Sequence, residues 1–176
     1  MKAKVSIVMG SVSDLKIMEN AARFLNEMNV PFEINALSAH RVPLQVAEYA
    51  GGLESRGVKV VIAGAGGAAH LPGVIAAVTP VPVIGVPIKS SNSIDGWDSV
   101  LSILQMPAGI PVATVALDGA HNAGILAVQI LALSDEELMC KFKKYKSGLA
   151  QKVLKANEDL KDVKYEFKID RQFGYE

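Results

Sequence analysis

Apolar runs alternate along this chain with stretches whose apolar residues return every third or fourth position, the signatures of buried strands and of amphipathic helices. Lys4 to Met9 (KVSIVM) reads as a strand, and beyond GSVSD the residues Ile17, Ala21, Phe24, Leu25 and Met28 keep helical spacing over Leu15 to Met28. A second strand is expected over Phe32 to Leu37 and a helix over about Leu44 to Arg56, with Gly57 closing it. Val58 to Ala63 reads as the third strand. It runs into Gly64 to Gly73 (GAGGAAHLPG) and a short helix through Leu71 to Val78, where Pro72 is tolerable in the first turn. Val81 to Val86 is the fourth strand, PIKSSNSIDGWDS a polar loop, and about Gly96 to Gln105 a helix with Asp95 as candidate cap. Val112 to Ala116 is the fifth strand. A mostly apolar helix over about Ala120 to Leu133 suggests burial on nearly all sides, and in a chain this small it points to an oligomer. Ser134-Asp-Glu-Glu opens a last helix, with carboxylates suited to the helix dipole, running to about Asn157.

Five strands alternating with helices predict an α/β fold, a doubly wound and mainly parallel five-stranded sheet whose ligands bind outside the carboxyl ends of the strands. The 176 residues are the size of one domain. The expected division is a single catalytic domain over residues 1–160, including the C-terminal helix, and a tail over 161–176. That polar, aromatic-bearing tail is either an arm lying on a neighbouring subunit or a disordered segment.

Composition narrows the function classes. Half the residues are hydrophobic but only 6% aromatic, the Val, Ile, Leu and Ala mixture of covered parallel strands. Eighteen basic residues balance eighteen acidic ones, so no global field draws the protein to nucleic acid or an anionic membrane. Cys140 is the only cysteine, which excludes a disulfide framework or a multi-cysteine metal site within one chain, and nothing beside it suggests an activated thiol. The start, MKAKVSIVMGS, has too short an apolar run for a signal peptide, and no segment approaches the ~20 apolar residues of a membrane span, so the expected setting is the cytoplasm.

The run Gly64 to Gly73 leaves almost no side chain, as a backbone held close to a ligand requires. Gly64-x-Gly66-x-x-Ala69 formally matches a dinucleotide fingerprint, but it follows the third strand, lacks an acid about 20 residues on, and meets Pro72 at the helix start. No GxxxxGK[ST] exists, and a phosphoacceptor aspartate is missing where Gly64 follows the third strand. Three loops at one sheet edge remain. Ser11 and Ser13, with the N–H groups opening the first helix, suit a phosphate, and Arg41 adds a planar cationic fork. Asp14 suits ribose hydroxyls, since a carboxylate repels phosphate. Simple capping would also explain Ser13 and Asp14, and the two roles can coexist. His40 and His70 sit on glycine- or serine-bounded turns of two of these loops, which favours proton transfer over a structural role. Two histidines without a third ligand or an HxH or HExxH spacing argue against zinc. His121, at the start of the apolar helix, reads as structural.

MGSVSD at 9–14, SAHRVP at 38–43, AGAGGAAHLPG at 63–73 and SILQMPAGIPVAT at 102–114 closely resemble, in order and spacing, the bacterial-type (class I) N5-carboxyaminoimidazole ribonucleotide mutases, the PurE family of purine biosynthesis. The resemblance spans about residues 4–135. It implies a flavodoxin-like three-layer α/β/α sandwich, a homo-octamer with active sites between subunits, a ribonucleotide substrate, and a cofactor-free, metal-free isomerisation that moves a carboxylate from the exocyclic nitrogen to ring carbon four. It implies His40 as the acid/base, with Ser11, Asp14 and Arg41 binding the ribonucleotide and Ser13 and Ser38 assisting. Ala65, Gly66, His70 and Leu71 would line the pocket that retains carbon dioxide. The alternatives are the related carboxylase that uses free carbon dioxide, which typically carries SAHK and a GRSN-type loop, and a ribonucleotide-binding module without turnover. Lys89 stands where many relatives carry glutamine, which would set an added positive charge near the pocket.

Overall fold

In the computed structural model, which describes residues 2–169, the chain forms five strands in the order β2-β1-β3-β4-β5, all parallel. These are β1 (Val5–Met9), β2 (Phe32–Ala36), β3 (Val60–Gly66), β4 (Val83–Ile88) and β5 (Ala113–Thr114). That order is the flavodoxin-like one, which reverses between β1 and β3 and opens a crevice there. Seven helices cover the sheet: α1 (Leu15–Glu27), α2 (Pro43–Gly51), α3 (Leu53–Arg56), α4 (Leu71–Val78), α5 (Trp97–Leu104), α6 (Ala120–Ala132) and α7 (Glu136–Lys161).

The period-two alternation of the central strands sorts the core into two layers. Val5, Ile7, Met9, Val60, Ile62, Val86 and Ile88 pack under α1, α6 and the start of α7, with Phe24, Leu25 and Met18. Val8, Val61, Ala63 and Val83 pack on the other face against Val46, Leu53, Ile75 and Ile103. β1 and β4 are buried along their lengths and β3 as far as Ala65, as near-continuous apolar runs of a covered parallel sheet should be.

Several boundaries differ from the expectation, each for a local reason. Gly57 does close the preceding helix, at φ 89°, and the Val58 and Gly57 N–H groups return to the carbonyls of Leu53 and Glu54. Val58 is thereby spent on the helix end, and β3 starts at Val60. At its other end β3 continues through Gly64, Ala65 and Gly66, which pair with Met9 and with Val86, Pro87 and Ile88. The first three residues of the glycine run are therefore strand, not loop. Gly51 and Gly52, poor helix formers, divide the expected second helix into α2 and α3. β5 is cut to Ala113–Thr114: Val115 N–H still reaches Gly85 O, but Pro87 has no N–H with which to continue the ladder.

Asp95 does not cap α5. Gly96 holds that position at φ 90°, while Ser93 Oγ accepts the Gly96 N–H. α6 is not buried all round: His121, Asn122 and Gln129 are exposed, and its apolar side is absorbed by α1, α7 and the sheet. Asp135 caps α7 by accepting Leu138 N–H at 2.9 Å. That helix runs to Lys161, beyond the expected Asn157. The far end of the expected tail, residues 170–176, lies outside the described residues.

Candidate active site

The loop after β1 is tied to the sheet through Gly10 N–H, which donates to Gly64 O at 3.1 Å. Ser11, in extended conformation, accepts Ser13 N–H on its Oγ and starts a single 3-10 turn over Val12–Asp14. Asp14 holds the N-cap position of α1, yet its carboxylate makes no capping bond there. It takes a hydrogen bond from the Ser11 backbone N–H and lies 3.5 Å from Ser13 Oγ. Burial pushes its pKa above the ordinary 3.8, against the opposing pull of those bonds. A carboxylate buried at 6% exposure without a capping role is a group held for something else.

The loop after β2 folds back on itself, with Arg41 and Val42 N–H both donating to Ser38 O and Arg41 Nε donating to Ser38 Oγ at 3.3 Å. This turn carries His40 at its tip. After β3, Gly67 reverses the chain at φ 61°, a left-handed conformation that glycine adopts without the usual Cβ penalty. His70 N–H then donates to Ala68 O, and His70 O accepts the Val74 N–H of α4. The two turns bring His40 Nε2 to 2.8 Å from His70 Nδ1, with the rings edge to face at 77°. A hydrogen bond between two imidazoles needs one N–H and one lone pair, so this pair holds a single proton between the facing nitrogens.

Ser11, Ser13, Asp14, Ser38, His40, Arg41, Ala65, Gly66, His70 and Leu71, the ten residues singled out in the sequence, all line one open cleft of about 590 Å³ at the carboxyl edge of the sheet. The fourth wall of this cleft was expected only at Lys89. It is Lys89, Ser90, Ser91 and Asn92, after β4, and Lys16 of α1 also lines the cleft. The signal was present in the abrupt change from VPVIGVPI to KSSNS at a strand's carboxyl end. The loop presses on the glycine run: a Cβ on Gly66 would stand 2.6 Å from Ser90 Cβ, and one on Gly67 3.1 Å from Asn92 Nδ2. These glycines make room for protein as much as for ligand. Two cations, Lys16 and Arg41, and one buried acid suit a small anionic molecule, while the Lys89 ammonium is paired with Asp95 at 2.9 Å. No cluster of three His, Cys, Asp or Glu side chains able to hold a metal occurs among the described residues. A second cleft of about 600 Å³ between the α6–α7 junction and the opposite sheet edge has no histidine in its wall. His121 sits apart, edge to face with Phe24 and 3.3 Å from Tyr145 OH.

Comparison with known proteins places the chain among enzymes. A family model described as AIR carboxylase matches residues 4–152. The chain is 53% identical over 165 residues to the N5-carboxyaminoimidazole ribonucleotide mutase of Pyrococcus horikoshii, covering 94% of this chain and 93% of that one. It is 50% identical over 165 residues to the phosphoribosylaminoimidazole carboxylase of Candida glabrata, of which it spans only 29%. Among solved structures, Treponema denticola PurE superposes with a TM-score of 0.80 at 31% identity, over 89% of this chain and 98% of that one.

Proposed function

The chain belongs to the AIR carboxylase family, and from that membership we propose that it is an isomerase converting N5-carboxyaminoimidazole ribonucleotide to 4-carboxy-5-aminoimidazole ribonucleotide in purine biosynthesis. The observation that carries the reading is the His40–His70 pair, 2.8 Å apart between a phosphate-suited loop and a run of small residues. Ser11, Ser13 and Arg41, with Ser38 holding Arg41, receive the 5′-phosphate, and Asp14 takes the ribose hydroxyls. The imidazole then lies toward His40, His70 and the Ala65–Gly66 segment, with Leu71 as an apolar wall.

The chemistry is redox-neutral. The bond between the carboxyl carbon and the exocyclic nitrogen breaks, its electron pair staying on nitrogen, which takes a proton from His40. Carbon dioxide is left beside the ring. The enamine carbon, ring carbon four, attacks it and forms the new carbon–carbon bond. His40 removes the proton from that carbon, and aromaticity returns. His70, sharing a proton with His40, reorients it between donation and acceptance. A walled pocket matters because carbon dioxide is held by exclusion rather than by charge.

Purified protein mixed with the carbamate substrate should form the carbon-four carboxylate without added bicarbonate. Strict dependence on bicarbonate would instead assign the carboxylase reaction, the reading favoured by the Candida glabrata relative's name. Binding without conversion would leave a ribonucleotide-binding module. We further propose a homo-octamer. α5 turns Trp97, Leu101 and Leu104 outward at spacing i, i+4, i+7, with Trp97 66% exposed, and α7 shows Leu149, Val153 and Leu160 along its free half. One exposed cysteine and a biosynthetic ribonucleotide substrate suit the reducing cytoplasm.

A further inference from the structure

Asn92 has no part in the chemistry above, yet it occupies the wall of the cleft nearest the glycine run. Its amide lies over Gly67, where a Cβ would stand 3.1 Å from Nδ2. Its Oδ1 accepts Ser90 Oγ at 2.7 Å, so the carbonyl end is used within the loop. The NH2 end has no hydrogen-bond partner among the described residues. Ser90 itself is wedged against Gly66 and the Ile88 carbonyl.

The loop that carries these residues is fastened at both ends. Lys89 N–H donates to Asp118 Oδ1 at 3.0 Å, and Lys89 Nζ pairs with Asp95 Oδ1 at 2.9 Å. Asp95, at φ 51°, keeps a left-handed conformation that few side chains tolerate. Ser93 Oγ donates to Asp98 Oδ1 at 2.5 Å and accepts Gly96 N–H. The positive charge of Lys89 is thereby turned onto Asp95, and the group offered to the cleft is a neutral amide.

We propose that Asn92 recognises the migrating carboxyl group, its free amide N–H groups donating to a carboxyl oxygen, and that Ser90 and the Lys89–Asp95 ion pair position it. The position separates this role from phosphate binding, because the phosphate-suited Ser11, Ser13 and Arg41 come from the loops after β1 and β2 while Asn92 follows β4 and touches the loop after β3. The chemistry favours an amide over a cation. An ammonium ion would stabilise the carboxylate ground state and oppose its loss as neutral carbon dioxide; an amide N–H donates to both forms with less bias. The inference rests on the proposed function.

Its test is calorimetric titration of the wild type, Asn92→Ala, Asn92→Asp and Lys89→Gln with two ligands: 4-carboxy-5-aminoimidazole ribonucleotide and the same ribonucleotide without the carboxyl group. Asn92→Asp should weaken the carboxylated ligand by about tenfold or more through loss of a bond to a charged group and added repulsion, and Asn92→Ala by less. Both should leave the decarboxylated ligand within about twofold. Lys89→Gln should give a smaller shift in the same sense, about twofold, consistent with an exposed ion pair. In turnover, Asn92→Ala should release more decarboxylated ribonucleotide per carbon-four product formed. Equal weakening of both ligands, or no change in either with the Asn92 variants, overturns the assignment. A wild type that binds neither ligand overturns the proposed function instead.

Discussion

The Asp14 carboxylate is ionised at neutral pH only at a cost, because burial at 6% exposure raises its pKa above 3.8 and no cation among the described residues pairs with it. A carboxyl group whose folded pKa exceeds its unfolded one holds its proton more tightly in the native state. Stability from this source is full below the unfolded pKa and falls as pH rises through the folded value. Asp14→Asn should therefore melt higher than wild type at pH 7, with the gap closing as the pH approaches 4, while ribonucleotide affinity drops. Equal melting temperatures at pH 7 would remove the case for a site held at the fold's expense. His40 is exposed, so His40→Asn should fold normally and lower turnover by about 10²–10⁴, the usual worth of an acid/base group. Full turnover by that variant would move the proton elsewhere. Both residues were legible in the sequence as candidates. The failure of the capping explanation for Asp14 was not, because whether a carboxylate reaches a helix N–H depends on the preceding turn, here pinned by Ser11.

β3 is the element in which strand and site are the same residues. Gly64 and Gly66 both lack room for a Cβ, but their neighbours differ in stiffness. At Gly64 the obstruction is the Met18 thioether, the far end of a flexible side chain, together with Ile88 Cδ1 at 3.0 Å. At Gly66 it is Ser90 Cβ at 2.6 Å and the Ile88 carbonyl at 2.9 Å, both close to main chain. Gly66→Ala should cost about 1–3 kcal/mol of stability, the range for overpacking, and Gly64→Ala should fall at or below its lower end. Thermal melts resolve the difference, since about 1 kcal/mol corresponds to roughly 2–4 °C in a chain this size. Read as sequence, the run from Gly64 to Gly73 looks uniformly like loop. Neighbouring backbones decide otherwise: Met9 and Val86 capture Gly64 in the ladder, and the chain is released only at Gly67.

Across the molecule, the exposed apolar faces point to self-association, although not through the helix that first suggested it. α6 satisfies its apolar side inside the chain. Two rows of exposed apolar residues lie on α5 and on the free half of α7. Light scattering should give about eight times the 18.7 kDa chain mass, and Trp97→Glu with Leu101→Glu should lower it by burying charge in the contact. An unchanged mass would exclude α5 from the interface.

The chain by itself determined the alternation of strand and helix, the glycine closure at Gly57, the pairing of chemistry with three loop segments, and the motifs that carry the family, because each depends on residues close together in sequence. Tertiary structure alone decided which loops meet. The order β2-β1-β3-β4-β5 places the loops after β1 and β3 side by side and lets the turn after β2 bring His40 against His70, thirty residues away. The same packing seats Ser90 and Asn92 on Gly66 and Gly67. Contacts of that kind follow from how twisted strands stack and which side chains yield, a balance that no local pattern encodes.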